Sequence, residues 1–221
     1  SESLRDKEIA SNENRVAKLA NIIYDENVRL GSHIERVLNI ARLEKENLNI
    51  ERTKVHMNAL VSNVLESMHL QMDKADGTLQ VDLAATEDVV IGDELHLSNV
   101  IFNLLDNAIK YSKDTPHITV KSINTKHNIT ISVADKGVGM SKEHQEKIFE
   151  QFYRIPTGNI HNVKGFGLGL SYVNNIIKIL HGKISVKSEK DKGTQFEVTE
   201  ERQRGYHTKF SELAFNCSTF L

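Results

Sequence analysis

From Arg15 to about Leu48, apolar residues recur in steps of three and four: Val16, Ala20, Ile23, Leu30, Ile34, Val37, Ala41 and Leu48, interrupted only at Asn27 and Glu44. That rhythm predicts one long helix with a heptad-like seam and charged residues on its other faces. A helix of this length buries its stripe on a partner helix or on its own domain; the partner is the stronger reading, so a dimer is expected. A second amphipathic helix is predicted between Val55 and Met72, with Leu60, Val64, Leu65 and Met68 on one face. Strand-like pieces follow at Leu79 to Leu83 and Val89 to Ile91, and Gly92-Asp93 opens a helix whose core side carries Leu97, Ile101, Leu104, Leu105 and Ala108. Alternation marks strands at Ile118 to Ile123 and Ile129 to Val133, joined by the hairpin segment Asn124 to Asn128. Leu168 to Leu180 is helical and ends at His181-Gly182; strands Lys183 to Ser188 and Gln195 to Thr199 flank the turn Lys190 to Gly193. The fold class is α+β: a two-layer α/β sandwich, a mixed sheet covered by helices, with a long N-terminal helix.

Composition narrows the class. The 221 residues are 39% hydrophobic and 26% charged, enough for one ordinary core plus an appendage and too apolar for wholesale disorder. A net charge of −2 offers no attraction for nucleic acid or an anionic membrane surface, so neither is expected as a partner. The single cysteine, Cys217, can form no internal disulfide, which suits a reducing cytoplasm. No apolar run is long enough to span a bilayer. If the parent protein is a sensor anchored in the inner membrane, its membrane and sensing parts are expected outside this chain.

Four short motifs carry the chemistry, in the order Asn103-Leu-Leu-Asp-Asn107-Ala-Ile-Lys110-Tyr111, Asp135-Lys-Gly137-Val-Gly139, Phe149-Glu-Gln-Phe152-Tyr153-Arg154, and Gly165-Phe-Gly167-Leu168-Gly169. Asn103, Asn107 and Lys110 fall at i, i+4 and i+7 and form one polar stripe opposite the core side of their helix. Amides in a cleft need partners, and a triphosphate with hydrated Mg²⁺ would supply them. Asp135, at the end of a strand, can accept a hydrogen bond from the exocyclic amine of adenine. Gly137 and Gly139 are expected to supply unusual backbone angles and a close approach to the base. The glycine triplet follows no strand, so it is not a dinucleotide-binding fingerprint; it suits a flexible loop feeding a helix N-terminus, whose free N–H groups favour phosphate. Phe149, Phe152 and Tyr153 would form an apolar clasp, and Arg154 could meet charge developing on a transferring phosphoryl group.

Together these motifs resemble the N, G1, F and G2 boxes of the catalytic ATP-binding domain of bacterial two-component sensor histidine kinases, within the wider GHKL-type ATPase and kinase superfamily and its Bergerat-type fold. A G3-like piece, Gly193-Thr194-Gln-Phe196, follows. The resemblance implies that Asn107 is the Mg²⁺ ligand, with Asn103, Lys110 and Tyr111 beside the phosphates. It implies that Asp135, Gly137, Gly139, Lys164, Gly165, Gly167, Leu168, Gly169 and Thr194 also line the ATP site. Arg154, Asn107 and Lys110 would then be catalytic. The expected organisation is residues 1–50 as the second helix of a dimerisation and phosphoacceptor hairpin, 51–200 as the ATP-binding domain with a lid at about 140–167, and 201–221 as a tail of unassigned role in which Tyr206, Phe210, Phe215 and Phe220 follow no period. The implied reaction moves the γ-phosphoryl group of ATP to a histidine, then to an aspartate on the receiver domain of a response regulator. A homodimer through the hairpin is implied for the intact protein.

The acceptor histidine is the missing piece. His33, within Ser32-His33-Ile34-Glu35-Arg36, superficially invites that role, but its acidic neighbour is displaced by one, no proline follows, and it lies far closer to Asn103 than the family's acceptor does. The first hairpin helix is therefore expected outside this chain. His56, His69, His117 and His161 lack metal-ligand spacing and read as surface residues. Two rivals remain: a hydrolytic ATPase of the same superfamily, and an interaction module whose nucleotide pocket only switches conformation. Asn103 stands where a hydrolytic relative would place its glutamate, and an amide cannot act as a base.

Overall fold

The computed structural model describes residues 16–24, 27, 50–155 and 166–202. The chain divides into two compact units, Ser1–Asn49 and Ile50–Leu221. In the first, residues 16–24 are helical, and Ile22 and Tyr24 are exposed. His33, Lys164, Gly165, His161 and most of the heptad-like seam lie outside the described residues, as does the tail beyond Arg202.

The second unit carries seven strands and four helices among its described residues: β1 (Thr53–His56), α1 (Met57–Lys74), β2 (Thr78–Leu83), β3 (Val89–Gly92), α2 (Glu94–Lys110), β4 (His117–Asn124), β5 (Asn128–Asp135), α3 (Lys142–Lys147), α4 (Gly169–Ile179), β6 (Lys183–Glu189) and β7 (Gly193–Glu201). Five strands form one mixed sheet in the order β2-β4-β5-β7-β6, with β2 parallel to β4 and every other pair antiparallel. β1 and β3 pair separately, antiparallel. β1 escapes sequence reading because Thr-Lys-Val-His buries only Val55 and shows no alternation to detect.

One face of the sheet makes the core. Ile118 and Val120 of β4, Ile129, Ile131 and Val133 of β5, and Phe196 and Val198 of β7 are all buried, at the alternate positions that a pleated strand points one way. α1, α2 and α4 supply the facing layer through stripes at spacings of three and four. In α1 the stripe is Met57, Leu60, Val61, Val64, Met68 and Met72, so Val61 takes the place expected of Leu65, and Val55 belongs to β1. In α4, Val173, Ile176 and Ile177 are fully buried; at about 1.5–3 kcal/mol each they anchor that helix far more firmly than any one hydrogen bond.

The starts of α1 and α2 are secured by carboxylates. Asp93 is the N-cap of α2, its Oδ1 accepting from the His96 amide at 3.0 Å. α1 has no cap of its own, and Asp88 supplies one from the β3 approach: its carbonyl accepts from Met57 N at 3.0 Å and its Oδ2 from Asn58 N at 2.9 Å. β7 runs on to Glu201, and Arg202 bridges to Val90 of β3, so regular structure extends slightly past the expected end near Thr199.

Candidate functional site

The C-terminal half of α2, the end of β5, the start of β7, the start of α4 and the two ends of the lid segment converge at one end of the sheet. Leu104, Leu105 and Ala108 bury the inner side of α2, which turns Asn103, Asn107 and Lys110 outward as half-buried residues on its polar side. Their expected need for an outside partner is only partly realised. Asn103 Nδ2 donates to the Asn99 carbonyl at 2.7 Å, one turn back, and Lys110 Nζ pairs with Asp106 Oδ2 at 2.5 Å. Among the described residues, Asn107 alone of the three makes no side-chain hydrogen bond, which leaves its amide oxygen open to a ligand.

The loop after β5 folds back onto the end of α2. Val138 N donates to the Tyr111 carbonyl at 2.9 Å. A Cβ on Gly137 would sit 2.3 Å from that same oxygen. Close approach, not an unusual φ, therefore demands glycine at 137, contrary to the sequence expectation; Gly139 does have a positive φ, +58°, and a Cβ there would lie 1.9 Å from the Glu189 carbonyl. Register pairs Asp135 with Thr194, so the G1-like and G3-like motifs meet across β5 and β7. Asp135 Oδ1 accepts from Gly137 N at 2.7 Å. Burial pushes its carboxyl above the usual range, while hydrogen bonds from the backbone of Gly137 and Thr194 pull it back down.

Gly169 begins α4 directly against α2: a Cβ there would meet Asn103 Oδ1 at 2.8 Å. Leu168 is the N-cap and contributes no side-chain hydrogen bond, so the first amides of α4 are not occupied by a cap. Its own side chain is buried, so any contact it makes with a ligand runs through its backbone. Gly167, at φ +72°, packs where a Cβ would lie 2.6 Å from the Tyr153 carbonyl, and Phe152 N donates to Gly167 O at 3.0 Å, joining the two sides of the lid segment.

The expected aromatic clasp is differently built. Phe152 has φ +63° and is 66% exposed, so it does not close over the core; Ile148 is the buried residue, and Tyr153 Oη hydrogen bonds to His144 Nδ1 at 2.7 Å across α3. α3 itself was not legible in sequence, because Lys-Glu-His-Gln-Glu-Lys buries nothing. Arg154 lies close enough to Tyr111 for its charge to favour the phenolate; burial outweighs it and Asp106 adds to the rise, so the hydroxyl stays protonated. Cation and phenol therefore share one neighbourhood at the C-terminal end of α2.

Residues that the sequence reading passed over tie the site together. Ser188 Oγ accepts from Met140 N at 2.9 Å and donates to the Gly193 carbonyl at 2.9 Å, while Gln145 Nε2 reaches the Ser188 carbonyl at 2.8 Å. His96 and His144 are partly buried and each meets a tyrosine hydroxyl; nothing in their spacing marks them, since their partners are distant in sequence or sit in another element. Among the described residues no group of three His, Cys, Asp or Glu could hold a metal ion. A divalent cation here would take Asn107 and draw its other oxygens from a bound phosphate group, a donor set that suits Mg²⁺. Among the described residues no helix is long and apolar enough to cross a membrane.

Comparison with known proteins places this geometry. Residues 92–203 match the model of the histidine kinase-, DNA gyrase B-, and HSP90-like ATPase family. The chain is 36% identical over 195 residues to the sensor protein RprX of Bacteroides fragilis, covering 87% of this chain and 38% of RprX. It thus spans well under half the length of that relative. Among solved structures, full-length ShkA in complex with AMPPNP superposes with a TM-score of 0.76 at 20% identity, covering 92% of this chain and 42% of ShkA. Histidine kinase ThkA in complex with the response regulator TrrA superposes with a TM-score of 0.69 at 23% identity, covering 87% and 53% respectively.

Proposed function

The chain belongs to the family of histidine kinase-, DNA gyrase B- and HSP90-like ATPases, and from that premise we propose that its second unit binds Mg-ATP as the catalytic domain of a sensor histidine kinase and donates the γ-phosphoryl group to a histidine. The observation that carries the reading is the convergence of Asp135 and Thr194, Asn103 and Asn107, and Gly167 and Gly169 at one end of the sheet. These residues are far apart in sequence, and a structural role for any one of them does not explain their meeting.

Each group has a task that its surroundings fit. Asp135, fixed by Gly137, accepts from the adenine amine; guanine presents an oxygen there and would be repelled by a carboxylate. Gly137 lets the loop after β5 pack on the Tyr111 carbonyl at the end of α2, beside the place proposed for the base. The uncapped start of α4 offers its amides and dipole to phosphate oxygens. Asn107 and Mg²⁺, with Lys110 and Arg154 nearby, counter the charge on the phosphoryl group; the metal supplies Lewis-acid screening when bound. Asn103 leaves water without a base, which favours transfer over hydrolysis. Lys164, Gly165 and Thr194 complete the proposed ATP site.

The whole-protein roles follow as part of the same proposal. Residues 1–50 are the second helix of a dimerisation hairpin, the intact protein is a homodimer, and the phosphoryl group passes onward to a response regulator, as the pairing of ThkA with TrrA suggests. His33 is not the acceptor. Calorimetric titration with Mg-ATP and Mg-GTP, using Asp135→Asn and Asn107→Ala, tests the pocket. ATP should saturate the wild type and GTP should not. Phosphotransfer to an added acceptor hairpin should then follow and be lost in Asn107→Ala. A folded chain that binds neither nucleotide would overturn the reading in favour of a plain interaction module.

A further inference from the structure

α4 carries the proposed phosphate-binding amides at its start, yet neither Leu168 nor Gly169 caps that start with a side-chain hydrogen bond. One turn further on, Tyr172 is 8% exposed and its hydroxyl lies 2.9 Å from His96 Nδ1 on α2. The rings are tilted at 46° with centroids 6.3 Å apart, so the contact is made by the polar tips rather than by stacking. Asn99 hydrogen bonds to the same hydroxyl through its side chain, and the Asn99 carbonyl accepts from Asn103 Nδ2 at 2.7 Å. Asn103 Oδ1 in turn sits against Gly169. These contacts close a ring of Gly169, Tyr172, Asn99 and Asn103, with His96 on its flank. Asp93 anchors the far side, accepting from the amides of His96 at 3.0 Å and Glu51 at 3.1 Å. The groups facing the hydroxyl are thus His96 and Asn99 on α2 and Asp93 at its N-cap. Burial pushes the Tyr172 hydroxyl up to about 12, so it remains a hydrogen-bonding neutral group throughout the physiological range.

We infer that Tyr172 is a positioning residue: its hydroxyl, held by His96 and Asn99, fixes the sliding and rolling of α4 on α2 and so sets the α4 amides at the right distance from Asn107 for a triphosphate. The inference rests on the proposed ATP site and deepens it. The apolar contacts of Val173, Ile176 and Ile177 hold α4 on the core but are non-directional; they leave register along the helix axis to the polar contacts. A buried hydroxyl with two partners from a neighbouring helix supplies that direction.

The test compares two ligands on the full chain. Tyr172→Phe keeps the ring and loses only the hydroxyl. Calorimetry with Mg-ATP should show about five- to tenfold weaker binding, the effect of one or two lost neutral hydrogen bonds. Adenosine, followed by amide chemical shifts, should bind Tyr172→Phe as it binds wild type, because Asp135 and Gly137 are untouched. His96→Phe removes the partner from the other helix and should reproduce the same selective loss, more weakly. Equal loss of ATP and adenosine would mean a general packing defect and would overturn the inference, as would unchanged ATP binding. Wild type that binds neither ligand overturns the underlying ATP reading, and the inference falls with it; wild type that binds both keeps the two failures distinct.

Discussion

A half-buried and a buried carboxylate stand at opposite ends of the β5–β7 ladder and have opposite fates. Asp135 pairs in register with Thr194 at one end, and Glu200 pairs with Ile129 at the other. Burial raises both. Asp135 receives hydrogen bonds from the backbone of Gly137 and Thr194 that oppose the rise, whereas Glu200 has a buried Oε1 with no partner among the described residues and is pushed up to about 8 by burial alone. The same strand chemistry thus yields one carboxyl whose rise is opposed by backbone donors and one that burial keeps mostly protonated at neutral pH. The first belongs to the proposed ATP site; the second, whose Oε1 meets no donor among the described residues, behaves as a neutral polar group under Gly182.

The strongest way to break this contrast is at the glycines. Gly193 has φ +116°, and a Cβ there would fall 1.9 Å from the Asp135 carbonyl, a backbone obstacle that cannot swing away. Gly193→Ala should cost about 3–4 kcal/mol or more by denaturant unfolding and displace Asp135 enough to abolish Mg-ATP binding. The far end is tested by Glu200→Gln. The folded carboxyl titrates near 8 and the unfolded one near 4.5, so the unfolded chain holds fewer protons between those values. Stability should therefore be highest below about pH 4.5 as far as this group is concerned, fall as pH rises, and level off above about pH 8. Glu200→Gln should remove that fall and be more stable than wild type by on the order of 3 kcal/mol at pH 9, with no change in ATP affinity. Destabilisation of Glu200→Gln at pH 9 would contradict the contrast.

Asp135→Asn should show the inverse behaviour. Losing a charged acceptor should weaken Mg-ATP by about 2 kcal/mol, roughly 30-fold, in calorimetry. Its melting temperature should hold steady, because the backbone donors of Gly137 and Thr194 can still be met by the amide oxygen. The smallest effect belongs to Gly182→Ala. There a Cβ would meet the Glu200 carboxyl at 2.3 Å, but this is the tip of a flexible side chain, so thermal unfolding should register a cost of only about 1 kcal/mol. A cost matching that of Gly193→Ala would show that the far end is as rigid as the nucleotide end.

Much of this molecule is legible in its sequence, and the reasons are local. β4, β5 and β7 alternate because one sheet face is buried, and α2 and α4 carry stripes because one side meets that face. The G1- and G2-like motifs are legible because close backbone approaches favour glycine, and the N-like motif because a polar stripe runs opposite a buried one. β1 and α3 were invisible for the converse reason: each buries almost nothing, so no period is imposed on it. The reason for glycine at 137 is not legible, since sequence cannot distinguish a positive φ from a neighbour's carbonyl 2.3 Å from where a Cβ would sit.

The sequence by itself determined the α+β class, the order of the main strands and helices, and which short segments are rich in the chemistry of a nucleotide site. Only the tertiary structure decided which polar groups are already satisfied: Asn103 by Asn99, Lys110 by Asp106, Tyr153 by His144 and Tyr172 by His96. It alone separated Asp135 from Glu200, two carboxylates that look alike on alternating strands. The physical reason is that hydrophobic periodicity is a property of one element against one surface, whereas a pKa or a satisfied amide depends on donors brought from other elements. Those donors come together only when the sheet and its helices are packed.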